Sequence, residues 1–143
     1  MSESPVTDRI FNQFVSDLHL SEVAVTCSPE TPIQRVAELM VMSSVGSVVI
    51  LNGEKPAGIF TERDLVRCVA DASIDLSAEP VKNRMTPNPR TIQSNAKLIS
   101  VMAAMRMGKF RHLVVVRESG EIAGVISIRD VMIHFIDEFN GAK

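Results

Sequence analysis

Two copies of one short motif carry the residues best suited to chemistry in this sequence. Residues 58–64 read Gly-Ile-Phe-Thr-Glu-Arg-Asp, and residues 124–130 read Gly-Val-Ile-Ser-Ile-Arg-Asp, 66 positions later. In each copy a hydroxyl residue precedes an aspartate by three positions, which is the spacing of a capping box at a helix N-terminus. Each copy is therefore predicted to end a strand and to begin a helix.

The same residues are suited to binding a nucleotide. A helix N-terminus offers free amides and a positive dipole end, which favour a phosphate. Arg63 and Arg129 lie in the first turn, where a cation opposes the dipole, so an anion is expected nearby. Asp64 and Asp130 can accept hydrogen bonds from the vicinal hydroxyls of a ribose. The motif therefore predicts one nucleotide site in each copy.

Composition excludes several other classes of function. The chain has 143 residues, 45% hydrophobic and 22% charged, with a net charge of -2, which is typical of a globular protein without a field that attracts nucleic acid. Neither Cys27, Cys68 nor the three histidines have metal-ligand spacing, so no metal site is predicted. There is no signal peptide pattern and no apolar run of about 18 residues, so we expect a cytoplasmic protein without a membrane segment.

The sequence around the motif is also repeated. The apolar face of a predicted helix at residues 33–40 recurs at residues 98–105, an offset of 65, whereas the motifs are 66 apart. We place the one inserted residue in the segment 108–111. Short β-branched segments and turns precede each motif, so each repeat is predicted to contain a strand, a helix, two strands and a second helix.

This pattern predicts an α/β (α+β) fold with two tandem repeats related by pseudo-twofold symmetry, so that each repeat covers the other. The apolar spacing predicts one amphipathic helix over residues 5–18, without a counterpart later in the chain. The predicted segments are a helical extension at 1–15, repeat 1 at 16–72, a linker at 73–80, repeat 2 at 81–138 and a tail at 139–143.

The element order, with Gly-h-h-Thr/Ser-x-x-Asp closing the third strand of each repeat (h, apolar), resembles the CBS domain. Two such repeats in tandem resemble a CBS pair, or Bateman module, over residues 16–138. The resemblance implies that an adenosine-containing ligand (AMP, ADP, ATP, NAD or S-adenosylmethionine) binds in clefts between the repeats. It also implies a homodimer.

The resemblance assigns a role to individual residues. Asp64 and Asp130 would bind ribose hydroxyls, Thr61 and Ser127 would contact ribose or phosphate, and the two motif arginines would bind phosphate. Further candidates lie in the strand before each motif and in the segment before each first helix. They are Gly46, Ser47, Val48, His112, Leu113, Val114, Thr26, Met85, Thr86 and Pro87.

A basic cluster, which includes Lys109 and Arg111, flanks only the second copy. These two side chains either belong to a solvated loop or contact a polyphosphate. Because the first copy has no such cluster, we expect the two sites to differ in ligand or affinity.

Three functions remain open from the sequence. The first is a regulatory module, not an enzyme, that signals ligand binding to an unidentified partner protein in trans. The alternative is a small nucleotide-processing enzyme that uses the same clefts, but the sequence offers no carboxylate pair or positioned base at useful spacing. Nucleic-acid binding through the basic cluster is the weakest hypothesis.

Overall fold

The computed structural model describes residues 5–18, 24–108 and 110–141. Within these ranges the chain forms five α-helices and seven strands in two sheets, which confirms the predicted α/β class. The helices are α1 (Pro5–Phe11), α2 (Ile33–Ser43), α3 (Glu62–Ala70), α4 (Leu98–Gly108) and α5 (Ile128–Gly141). The strands are β1 (Thr26–Cys27), β2 (Ser47–Asn52), β3 (Lys55–Thr61), β4 (Thr86–Pro87), β5 (Thr91–Gln93), β6 (His112–Val116) and β7 (Ile122–Ser127).

The described chain divides into two compact units. Residues 24–89 form the first-motif unit, and residues 5–18 with 90–141 form the second-motif unit. The segment predicted as a linker, 73–80, and the start of predicted repeat 2 thus pack with the first motif. No helix in the described ranges is both long and apolar enough to cross a membrane.

The first-motif unit is built on a four-stranded sheet in the order β1-β2-β3-β4. Strands β2 and β3 form the predicted hairpin, with Gly53 at φ +67° in its turn, a conformation that glycine adopts at little cost. On α2, buried Ile33 and Val36 recur with helical spacing and belong to the same core as Val48 and Phe60. The core of this unit therefore fixes the β3–α3 junction, where the motif lies.

The second-motif unit has a three-stranded sheet in the order β5-β6-β7. Its core contains Leu98 of α4, Leu113 of β6 and Ile126 of β7, together with Ile10 and Val15 from the N-terminal segment. That segment is therefore an integral part of the second-motif unit.

The N-terminal segment differs from the predicted single helix over residues 5–18. Helix α1 ends at Phe11, and a 3-10 turn follows at Val15–Asp17. The helix stops because the backbone amides of Val15 and Ser16 donate to the carbonyls of Ala96 and Ser94 instead of to a preceding helical turn.

The prediction that this segment has no counterpart was wrong for its last residues, 15–18. A second 3-10 turn lies at Val81–Asn83, and Val81 donates to the carbonyl of Thr31 as Val15 donates to Ala96. Both valines are almost fully buried. Residues 15–18 therefore correspond to residues 81–84, at an offset of 66.

Strand register corrects the predicted place of the inserted residue. Ser47 pairs with Thr61 in the first unit, and His112 pairs with Ser127 in the second. Strands β2 and β6 are therefore related by an offset of 65, while the motif residues that they pair with are related by 66. Residue 46 thus corresponds to 111, and residue 47 to 112.

The extra residue lies in the second hairpin turn and not in the segment 108–111. Residues 52–55 separate the paired positions 51 and 56 of the first hairpin, whereas residues 117–121 separate positions 116 and 122 of the second. A turn can accommodate an additional residue without moving the strands, so the insertion leaves both motifs in equivalent places.

Candidate functional site

The first motif forms the predicted capping box. The hydroxyl of Thr61 accepts a hydrogen bond from the backbone amide of Asp64 at 3.4 Å. In return, Oδ2 of Asp64 accepts from the backbone amide of Thr61 at 3.0 Å and from its hydroxyl at 3.1 Å. Asp64 is only 7% exposed, so these bonds satisfy a carboxylate oxygen that folding removes from water. The other oxygen, Oδ1, lies 3.9 Å from Nη1 of Arg67.

The second motif repeats this geometry with a serine. Oδ2 of Asp130 accepts hydrogen bonds from the backbone amide of Ser127 at 2.8 Å and from its hydroxyl at 3.0 Å. The amide of Asp130 donates to the serine hydroxyl at 3.1 Å. Both aspartates are thus held in one orientation at the start of a helix, as the sequence predicted.

The strand before each motif lies beside the cap. The amide of Glu62 donates to the carbonyl of Gly46 at 3.1 Å, and the amide of Ile128 donates to the carbonyl of Arg111 at 2.9 Å. Candidate residues Ser47 and His112 pair directly with the motif hydroxyl residues. The backbone at the start of β2 and β6 is therefore adjacent to the motif in both units.

Other strand candidates are placed differently. The side chains of Val48, Leu113 and Val114 are fully buried, so these residues can offer only backbone groups to a ligand. Thr26 is exposed on β1, where it pairs with Val49.

A pocket of about 340 Å³ lies next to Asp64, entirely within the first-motif unit. Four sequence candidates meet there: Asp64 on α3, and Met85, Thr86 and Pro87, which are brought close because β4 pairs antiparallel with β3. Its full lining is Asp64, Arg67, Cys68, Ile74, Asn83, Arg84, Met85, Thr86 and Pro87. We call it the Asp64 pocket.

The motif glycine makes this pocket possible. Gly58 pairs with Pro87 across β3 and β4, and a Cβ atom at position 58 would collide with Sδ and Cγ of Met85. The absence of a side chain at Gly58 therefore lets Met85 pack over the strand and form one wall of the pocket.

Sequence reasoning missed both arginines of the pocket. Arg67 lies one helical turn after Asp64, a spacing that places both side chains on one helix face and is a usable signal. Arg84 has no such signal, because it reaches the pocket only through the fold. Its Nε lies 3.5 Å from Oε1 of Glu79, and its Nη1 lies 3.7 Å from Oδ2 of Asp71.

Burial and hydrogen bonding set the ionisation of two groups near the pocket. Burial raises the pKa of the Cys68 thiol above its ordinary value of 9.0. The positive charge of Arg84 opposes this rise, and the negative charges of Asp64, Glu79 and Asp71 add to it. A hydrogen bond from the hydroxyl of Ser73, at 2.6 Å, lowers the pKa of Asp71. Near neutral pH the Cys68 thiol in the pocket is therefore predicted to be neutral, and Asp71, which pairs with the pocket residue Arg84, is predicted to be charged.

The remaining sequence candidates lie outside the Asp64 pocket. Arg63 and Arg129 are exposed, and neither forms an ion pair with any residue in the described ranges. Arg111 is exposed and His112 is half-buried. Lys109 lies outside the described residues. The same described ranges contain no group of three or more His, Cys, Asp or Glu side chains that could hold a metal ion.

Comparison with known proteins identifies the repeats. A protein-family model described as "CBS domain" matches residues 15–71 and again residues 80–137. A CBS domain protein from Pyrobaculum aerophilum, solved in complex with AMP, is 28% identical with a TM-score of 0.73, and the match covers 87% of this chain and 99% of that one. A CBS-domain containing protein from Agrobacterium tumefaciens is 35% identical with a TM-score of 0.73, over 85% and 97% of the two chains.

Relatives of known sequence include both short and long proteins. An uncharacterised 17.7 kDa protein of Acidianus ambivalens is 29% identical over 124 residues, which is 86% of this chain and 73% of that protein. In three further curated relatives the matching region is between 16% and 22% of the protein's length. The same arrangement thus also occurs as part of much longer proteins.

Proposed function

Because the chain belongs to the CBS-domain family, we propose that it is a cytoplasmic regulatory module that binds an adenosine-containing ligand at each motif and signals to a partner protein. The ligand class comprises AMP, ADP, ATP, NAD and S-adenosylmethionine. The relative from Pyrobaculum aerophilum that was solved with AMP supports this class. Binding, and not turnover, is the proposed activity, and no residue is assigned a catalytic role.

The observation that carries the proposal is the convergence of Asp64 with Met85, Thr86 and Pro87 on one pocket. In this pocket Oδ2 of Asp64 is used by the helix cap, which leaves Oδ1 to accept hydrogen bonds from ribose hydroxyls. Met85 and Pro87 offer apolar surface to a purine. A volume of about 340 Å³ lies within the range of small-molecule sites.

At the second motif, Asp130 takes the place of Asp64 and has the same cap. The strand register places Arg111 where the first unit has Gly46, and His112 where it has Ser47. A cation beside the start of α5 favours a phosphate at that helix end. We therefore expect the two sites to differ in ligand or affinity.

Signalling requires that the ligand distinguish two conformations of the protein, because a ligand shifts an equilibrium only by its differential affinity. The same carboxylate would both cap α3 and bind the ribose, so ligand binding and the position of α3 are coupled. The protein that responds to this conformational change would be an unidentified partner that acts in trans.

A homodimer is also part of the proposal. Helices α4 and α5 form an apolar groove of about 480 Å³, in which Met132 is 60% and Ile136 is 57% exposed. Exposed apolar patches of this kind mark interaction sites, and the resemblance to homodimeric CBS pairs favours a second copy of the chain as the occupant. The groove is lined by Met102, Met105, Arg106, Ile128, Val131, Met132, Phe135 and Ile136.

Thermal-shift measurements with AMP, ADP, ATP, NAD and S-adenosylmethionine test the proposal. A ligand that binds the folded state raises the unfolding midpoint, and the rise should shrink in Asp64→Ala but not in Asp8→Ala, an exposed aspartate of α1. No rise with any of the five ligands would contradict the proposal. Steady hydrolysis of ATP with Mg²⁺ that is lost in Asp64→Asn would replace it with an enzymatic function.

A further inference from the structure

The lining of the Asp64 pocket contains two arginines, Arg67 and Arg84. Arg67 extends from α3 with its Nη1 3.9 Å from Oδ1 of Asp64. Arg84 follows the 3-10 turn that ends at Asn83, directly before the pocket residue Met85. Two guanidinium groups from separate segments therefore line the pocket, and that of Arg67 lies beside the oxygen of Asp64 that the helix cap does not use.

The repeated fold does not require these arginines. Residues 15–18 correspond to 81–84, so the counterpart of Arg84 is Leu18, which is buried in the core of the second-motif unit. The motif offset of 66 likewise makes Ile133 the counterpart of Arg67. Because aliphatic residues occupy both places in the second copy, the arginine pair is particular to the Asp64 pocket.

The surroundings of Arg84 orient its guanidinium without using all its donors. Its contacts to Glu79 at 3.5 Å and Asp71 at 3.7 Å are longer than ordinary hydrogen bonds. A guanidinium has five N–H donors, so several remain available to a ligand. The side chain of Arg67 is 71% exposed, which leaves it free to move onto a bound group. Planar N–H pairs of this kind match the oxygens of a phosphate or a carboxylate.

We propose that Arg67 and Arg84 bind an anionic group, a phosphate or a carboxylate, of the ligand whose ribose Asp64 binds. This inference rests on the proposed function of the pocket. It makes the arginine pair a determinant of ligand selectivity at the first motif. At the second motif Arg111 lies on the strand side instead, so the two sites would hold their anionic groups in different positions.

Titration calorimetry on the full chain tests this inference with two matched ligand pairs. AMP and adenosine differ by a phosphate. S-adenosylmethionine and methylthioadenosine differ by the aminocarboxypropyl substituent, which adds a carboxylate and an ammonium group and makes the sulfur a sulfonium. All proteins carry Asp130→Ala, so that the remaining binding reports the Asp64 pocket. The variants Arg84→Leu and Arg67→Ile introduce the second copy's residues. Arg35→Leu, which removes an exposed arginine on α2, serves as the control.

Loss of a hydrogen-bonded charged partner should weaken the member of a pair that carries the phosphate or the carboxylate by roughly ten- to hundred-fold and leave the other member nearly unchanged. A selective loss for AMP assigns the site to a phosphate, and a selective loss for S-adenosylmethionine assigns it to a carboxylate. Equal effects on all four ligands, or none, would overturn the inference. Arg67→Ile keeps the test valid if Arg84→Leu lowers the unfolding midpoint, because Arg67 is largely exposed.

The failure of this inference is distinct from failure of the proposed function. If Asp64→Ala abolishes adenosine binding while both arginine variants retain the selectivity of the parent protein, only the arginine assignment fails. If the parent protein binds none of the four ligands, both proposals fail.

Discussion

Oδ2 of Asp64 lies 3.0 Å from the backbone nitrogen and 3.1 Å from the hydroxyl of Thr61, so one carboxylate oxygen closes the cap of α3. The same residue lines a pocket. One side chain thus links the stability of a helix to a candidate ligand site.

Asp64→Ala should therefore destabilise the protein even without ligand. The substitution removes the acceptor for the Thr61 amide, and loss of such a capping interaction costs about 1 to 2 kcal/mol. Asp64→Asn should cost less, because an amide oxygen still accepts a hydrogen bond. Urea unfolding measures both, and an unchanged midpoint for Asp64→Ala would show that the cap contributes nothing.

Gly58→Ala should destabilise the first-motif unit by about 1 kcal/mol, because the new methyl group meets Sδ and Cγ of Met85 and forces this flexible side chain to move aside. Adding Met85→Ala to this variant should recover part of the loss. Gly141→Ala is the control, since a Cβ there meets no atom within 4 Å. If the Gly58 and Gly141 variants have the same free energy of unfolding, Met85 does not pack closely over β3.

Replacing residues 117–121 by the four-residue turn of positions 52–55 should preserve the fold. The register shows that the two hairpins differ only by one residue in this turn. Deleting Phe110 should be far more damaging, because it displaces the start of β6. Circular dichroism and thermal unfolding compare the two variants. If the turn replacement lowers the unfolding midpoint more than the deletion of Phe110 does, the inserted residue lies in the segment 108–111 and not in the turn.

Alkaline stability should depend on Cys68. Burial raises the pKa of its thiol above 9.0, so the unfolded chain loses this proton at lower pH than the folded protein does. The stabilisation is therefore complete below the unfolded-state pKa and is lost as the pH rises through the folded-state pKa. From about pH 8 to about pH 10, the free energy of unfolding should fall less steeply in Cys68→Ala than in the wild type. If the free energy of unfolding falls equally steeply with pH in both proteins, this prediction is wrong.

Met132→Glu should dissociate the proposed homodimer, because it places a charge in the apolar groove of α4 and α5. Lys55→Glu, at the first hairpin turn, changes charge at an exposed site outside the groove and should have no effect. Sedimentation analysis of the wild type and the two variants measures their oligomeric state. A monomeric wild type, or a dimeric Met132→Glu, would exclude this groove as the interface.

Local features of the molecule could be predicted from the sequence, and features made by long-range pairing could not. The caps at Asp64 and Asp130 depend on residues three positions apart, so their spacing was sufficient. Arg84 enters the pocket because β4 pairs back onto β3, which no local pattern reports. Arg67, the other arginine of the pocket, lies one helical turn after Asp64, and this spacing is visible in the sequence.

The two errors about the repeat have physical causes. All four residues Leu113–Val116 of β6 are buried, so the strand lacks the alternation that would reveal its register. The N-terminal residues Ile10, Val15 and Leu18 follow a helix-like spacing although α1 ends at Phe11. They are buried because the chain turns back onto the second sheet, and tertiary contacts thus override the local pattern.

Titration calorimetry with AMP and adenosine, on the wild type and on Asp64→Ala, Asp130→Ala and the double variant, tests the central claim most directly. The account predicts that each single variant weakens one site by roughly ten- to hundred-fold, since a hydrogen bond to a charged group contributes about 1.5 to 3 kcal/mol. The double variant should lose affinity at both sites by these same factors. Wild-type affinity in the folded double variant would contradict the assignment of the two motifs as ligand sites.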